Sequence, residues 1–115
     1  YLMSTIFKKI IDREIESDII YENDKIICFK DISEQAPIHL LIIPKKEIRT
    51  INDIEDCDKS LIGEMFIAAK KIAKKLKIDK KGYRLVFNCN DDAGQTVFHI
   101  HMHLLAGRKF TWPPG

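Results

Sequence analysis

Hydrophobic positions along this chain recur with two periods, and the period switches several times. Near the N-terminus Phe7, Ile10 and Ile11 form a stripe at three- to four-residue steps, so a short helix is predicted over residues 6 to about 14, capped by Ser4 or Thr5. Two short runs follow, Ile19 to Glu22 and Ile26 to Lys30. Asn23-Asp24 between them is turn chemistry, which predicts a hairpin. His39-Leu40-Leu41-Ile42-Ile43-Pro44 is a nearly unbroken apolar run stopped by proline, as expected of a strand inside a sheet. Farther on, Leu61, Met65, Phe66, Ala69, Ile72, Ala73 and Leu76 recur at three- and four-residue steps, giving a long helix to about residue 76 with one buried face. Gly63 lowers its propensity only slightly. Gly82 marks a turn into a strand over 83–88, and the polar loop Asn90-Asp91-Asp92-Ala93-Gly94 leads to a last strand carrying alternate histidines.

Short helix, three strands, long helix and two strands, with strands joined by a tight turn, predict an antiparallel sheet with helices packed on one face, an α+β fold. A chain of 115 residues fits one domain, 1–115, whose folding hides roughly two thirds of the unfolded surface. Residues 1–4 are expected to be unstructured or extraneous to it. No apolar run approaches the ~20 residues that cross a bilayer, so no membrane partner is expected. The first residues lack the pattern of a signal peptide, and Cys28, Cys57 and Cys89 are odd in number with no C-x-x-C pair; both point to a reducing compartment, the cytoplasm and also the nucleus. A net charge of +2 gives little reason to expect nucleic acid. The lysines at 70, 71, 74, 75, 77, 80 and 81 fall on the polar side of the long helix and read as a solvated face. Asp53, Glu55, Asp56 and Asp58 read as acidic groups favoured at a helix N-terminus rather than as a divalent-cation site.

Candidate chemistry concentrates in His99-Ile100-His101-Met102-His103-Leu104-Leu105. Alternation on a strand sends Ile100, Met102 and Leu104 to one side and three imidazoles to the other, roughly 6.6 Å apart. A metal is one reading, with His39 as a fourth ligand from a neighbouring strand; the histidine strand itself carries no acidic group to orient the rings. Phosphoryl chemistry is the other. Asp91-Asp92-Ala93-Gly94-Gln95-Thr96 supplies a glycine, an amide donor and a hydroxyl just before the imidazoles, and fixed dipoles of that kind hold equatorial phosphoryl oxygens without a metal.

These residues resemble the histidine-triad (HIT) family, whose motif is His-x-His-x-His followed by two apolar positions. The resemblance extends to Thr5-Ile6-Phe7, Phe29-Lys30-Asp31-Ile32-Ser33, Gln35-Ala36-Pro37, Ile43-Pro44-Lys45-Lys46, Gly82-Tyr83-Arg84, Gly94-Gln95 and Trp112-Pro113-Pro114-Gly115, and so to the Hint branch, the purine nucleoside phosphoramidases and protein kinase C interacting protein-like proteins. It implies a five-stranded antiparallel sheet with one long and one short helix, joined into a ten-stranded sheet in a homodimer. It also implies hydrolysis of purine nucleoside 5′-phosphoramidates to AMP or GMP and an amine, through a nucleotidyl-histidine intermediate and with no cofactor required.

Carried over by position, His101 would be the nucleophile, held by the carbonyl of His99. His103 would contact phosphate and assist the amine, and His39 and His99 would form a supporting pair. Asn88, Gly94, Gln95 and Thr96 would hold phosphate oxygens and the leaving group, Asp31 would accept the ribose hydroxyls, and Phe7, Phe29 and Ile32 would sandwich the base. Without the resemblance those three apolar side chains read as core. The tail from 107 to 115 would reach the partner's site and place Trp112 near the leaving group. Thr96 stands where many members of the family have serine, which keeps the hydroxyl and adds a methyl group. Other readings are a diadenosine polyphosphate hydrolase, against which the Trp-Pro-Pro-Gly ending argues, a nucleotide-binding scaffold with weak catalysis, and a zinc-binding regulator.

Overall fold

The computed structural model describes residues 5–115, so the expectations for residues 1–4, including Ser4 as a cap, lie outside the described residues. Thr5 caps α1 (Ile6–Ile11), its hydroxyl accepting the Lys8 N–H at 3.1 Å. The helix stops short of residue 14 because Arg13 turns into the left-handed region at φ 63°. β1 (Ile19–Glu22) and β2 (Ile26–Lys30) form the expected hairpin, closed by the Asn23 side chain accepting the N–H groups of Lys25 and Ile26. β3 (Ile38–Pro44) then runs antiparallel to β2.

Two 3₁₀ turns, at Ile51–Asp53 and Asp56–Asp58, lead into α2 (Lys59–Lys75). In each the acid at the third position reaches back to the capping residue, Asp53 accepting Thr50 N–H at 3.1 Å and Asp58 accepting Glu55 N–H at 2.9 Å. Asp58 is also paired with Lys46 at 2.5 Å, so two of the acidic side chains before the long helix have structural work. α2 ends in a Schellman motif with Lys77 in the left-handed position, where Ile78 N–H donates to the Ala73 carbonyl and Lys77 N–H to that of Lys74. β4 (Arg84–Val86) and β5 (Met102–Ala106) complete an antiparallel sheet of order β1-β2-β3-β5-β4.

The helices do not share a face, contrary to the expectation from sequence. Ile26, Cys28, Leu40, Ile42, Met102, Leu104 and Ala106 pack on α2 through Met65, Ala68, Ala69 and Ile72. Ile27, Phe29, Leu41 and Ile43 point the other way and are covered by Phe7 and Ile10 of α1. The physical reason lies in the apolar runs of β2 and β3, which have almost no polar alternation; strands buried on both faces need two covers. α1 covers only part of its face. The remainder, over β3 and β5, is where His39 and His103 project beside Leu41.

Candidate active site

β5 starts at Met102, so His99 and His101 precede the strand instead of lying on it. Ile100 N–H donates to the Ile48 carbonyl at 2.7 Å, tying this approach segment to the loop after β3 and away from the ladder. Each imidazole has its own backbone anchor. His99, fully buried, sits 2.6 Å from the Pro44 carbonyl through Nε2, which must carry the proton because a carbonyl only accepts. His101 stands 2.8 Å from the His99 carbonyl through Nδ1, so its proton lies there and Nε2 keeps a lone pair. The Phe7 ring packs edge-on against His101 with centroids 5.0 Å apart. Burial pushes the pKa of both rings below the ordinary histidine value, and the carbonyl contacts oppose this only in part.

His103 Nδ1 lies 2.9 Å from Nε2 of His39, whose own Nδ1 accepts the main-chain N–H of Gln35 at 3.1 Å. The expected pairing of His39 with His99 is therefore not found. His39 projects from β3 toward β5 and meets His103, while His99 is engaged with the end of β3 at Pro44. Asp31 approaches the same cluster, its Oδ2 3.4 Å from His39 Nε2 and its Oδ1 accepting Ser33 N–H. Asp31, His39 and His103 form the one cluster among the described residues whose side-chain ligand atoms lie close enough to share a cation. The Gln35 N–H occupies the lone pair on His39 Nδ1, so that ring's proton sits on Nε2, the atom facing the other two residues. A cation there would have to displace that proton and break the Gln35 contact.

Phe7, Phe29, Asp31 and Ile32, assigned to a nucleoside on resemblance, do come together around a groove of about 120 Å³. Phe7 and Phe29 are nearly buried and form its floor, whereas Ile32 is 95% exposed at the rim, where an apolar side chain has nothing of its own protein to cover. Ile6, Ile10 and Leu41 also line the groove. Sequence reading missed them because helical and strand periodicity cannot separate a residue under a ligand from one under another helix. A second cavity of about 320 Å³ is lined by His103 together with Asn88, His39, Arg84 and Arg108.

Gln95 has a different job from the one expected. Its side-chain oxygen accepts Asn90 N–H at 2.9 Å, and its amide nitrogen donates to the carbonyls of Arg49 at 2.9 Å and Val97 at 3.1 Å. Its own N–H donates to the Asn90 carbonyl, so none of its N–H groups is left for a phosphate. Gln95 is the brace of the loop that carries Gly94 and Thr96. Gly94 adopts φ 83°, which glycine takes without strain, and Thr96 is exposed. In the tail, Arg84 donates to the Thr111 carbonyl at 3.0 Å, and the Arg84 and Arg108 guanidinium groups lie over the Phe110 ring at 5.1 and 4.3 Å. Trp112, 82% exposed, does not reach the histidines of its own chain's site as a covering group.

A buried imidazole with a bare Nε2, anchored by the carbonyl two residues back and set beside a second imidazole on a five-stranded antiparallel sheet, defines a histidine-triad protein. The chain belongs to that family: the HIT domain model matches residues 12–110. It is 53% identical over 104 residues to the purine nucleoside phosphoramidase of Escherichia coli strain K12, covering 90% of this chain and 87% of that one. It is 48% identical over 111 residues to an uncharacterised HIT-like protein of Synechocystis, 96% of each chain being covered. The crystal structure of a HIT family hydrolase from Legionella pneumophila superposes with a TM-score of 0.95 at 52% identity, over 97% of this chain and all of that one.

Proposed function

We propose that this protein hydrolyses the P–N bond of purine nucleoside 5′-phosphoramidates. The observation that carries the reading is the His101 tautomer: with Nδ1–H donated to the His99 carbonyl, Nε2 is a neutral nucleophile at physiological pH. In the first step Nε2 of His101 bonds to phosphorus, the P–N bond breaks and the amine leaves with a proton. In the second, water attacks phosphorus, AMP or GMP departs and His101 is restored. The ring carries positive charge while nucleotidylated, and the His99 carbonyl dipole at 2.8 Å favours that charge without rearrangement. The E. coli relative's name supports the substrate class, and the apolar groove with Asp31 at its side suits a purine nucleoside.

The working form in this reading is a homodimer that needs no cofactor and acts in the cytoplasm, and also in a nucleus where the cell has one. Phe66 and Ile67 are exposed on α2, Phe66 lies against Phe87 just beyond the open β4 edge, and Trp112 is uncovered; a second copy suits all of these surfaces. No helix among the described residues is long and apolar enough to cross a membrane. Steady-state hydrolysis of adenosine 5′-phosphoramidate by wild type and His101→Ala, with and without a chelator, tests the reading. Chelator-insensitive AMP release abolished by the substitution is expected. No turnover by folded wild type would refute the assignment, and chelator-sensitive turnover would refute metal independence.

A further inference from the structure

Two different backbone groups set the protons on His101 and His39, and they set them in opposite senses. The His99 carbonyl can only accept, which places the His101 proton on Nδ1. The Gln35 N–H can only donate, which places the His39 proton on Nε2. That proton faces His103 Nδ1 at 2.9 Å, with the Asp31 carboxylate as a second acceptor at 3.4 Å. His103 Nδ1 must then be the acceptor, because two N–H groups cannot point at each other at that distance. The single proton of His103 is left on Nε2, a buried atom with no hydrogen-bond partner among the described residues. A buried N–H without a partner is costly, and a phosphoryl oxygen would satisfy it.

We propose that His103 serves as a neutral hydrogen-bond donor to a phosphoryl oxygen, held in that tautomer by the Gln35 N–H acting through His39, and that it is not the acid protonating the departing amine. The inference rests on the hydrolase reading above and departs from the role that the family resemblance gives His103. Proton balance carries the negative half. If Nε2 of neutral His103 gave up its proton, Nδ1 would need another, and the proton within reach is the one on His39 Nε2. His39 cannot refill itself through Nδ1, which faces an N–H, and would be left anionic 3.4 Å from the Asp31 carboxylate. The amine therefore takes its proton from solvent as the P–N bond breaks and the bond from His101 Nε2 to phosphorus forms. The charged and titratable groups around His103 are His101, His39 and Asp31, with Arg84 and Arg108 lining the same cavity; burial and the two imidazoles push its pKa down to about 4, with Asp31 opposing, so it is not an imidazolium at neutral pH.

The test has a spectroscopic and a kinetic arm, both on the full chain. In protein with ¹⁵N-labelled histidine at neutral pH, two-bond proton–nitrogen correlation spectra should show His103 protonated at Nε2 and bare at Nδ1, and His101 the reverse. Protonation of His103 at Nδ1, or at both nitrogens, would overturn the proposal even if the enzyme proved to have another substrate. In the kinetic arm, His103→Gln keeps an N–H donor and should stay within about tenfold of wild-type kcat, while His103→Ala should lose about 10² to 10³, as for other single oxyanion donors. Across adenosine phosphoramidates of graded amine basicity, wild type and His103→Ala should show parallel dependence. A steeper dependence in the alanine variant, or a glutamine variant as slow as alanine, would make His103 the acid. His39→Leu, a positioning variant, should blur the His103 tautomer in the spectra and lower kcat with little change in KM.

Discussion

Replacing Gln95 with leucine separates a brace from a phosphate ligand. The leucine side chain has similar bulk but cannot accept from Asn90 N–H or donate to the carbonyls of Arg49 and Val97, so three hydrogen bonds between partly buried partners disappear together. At about 0.5–1.5 kcal/mol each, with backbone groups left partly unsatisfied, the loss is about 3 kcal/mol. For a domain of this size each kcal/mol lowers Tm by roughly 4 °C, so a fall on the order of 12 °C is expected. Urea unfolding followed by circular dichroism should show a lower midpoint at unchanged slope. Activity at low temperature should fall with the loosened loop, since Gly94 and Thr96 lose their fixed position. A stability loss under about 0.5 kcal/mol with a large rise in KM would refute the reasoning and return Gln95 to the substrate.

Ile32→Ser should leave Tm unchanged within error and raise KM for adenosine phosphoramidates severalfold at constant kcat, because a side chain 95% exposed has no core to lose; isothermal titration with AMP checks the same loss directly. His99, His101 and His103 all have folded-state pKa values below 6.5, so the unfolded chain binds more protons than the folded one as pH falls below about 6.5. Their contribution is therefore present above 6.5 and is lost toward pH 4, the window set by His103, and denaturation midpoints measured from pH 7.5 to 4.5 should decline over that range. Gly107→Ala should cost about 1–3 kcal/mol, since an added Cβ would stand 2.8 Å from Pro37 Cβ at φ 97°; thermal unfolding measures it, and an unchanged Tm would show that the β5 exit and the Pro37 turn can yield.

The parts legible in the sequence were those governed by local rules. The unbroken run 39–44, the three- and four-residue steps of α2 and the Asn23 turn each reflect interactions within a few residues, and each appears in the structure. The histidines announced the site because three of them at alternate positions are poorly explained as core. Long-range partners were not legible. Periodicity predicted that α1 buries a face but not which side of the sheet it covers, and only the double burial of β2 and β3 decides that. The His39 and His103 contact joins residues 64 apart, and which histidine meets His39 depends on the β3–β5 register. Gln95 reads as a phosphate donor only from its place between Gly94 and Thr96; its three partners lie on Asn90, Val97 and the distant Arg49.

On β5, His103 lies between Met102 and Leu104, so one short strand contributes alternately to the histidine-bearing face and to the core against α2. A slip of one residue in its pairing with β3 would drive imidazole into the apolar layer and turn methionine and leucine outward. Misfolded chains of that kind would lose the site and the core together. Newly made protein should accordingly divide into fully competent molecules and ones that proteases can clear, with no standing population of stable but inactive enzyme.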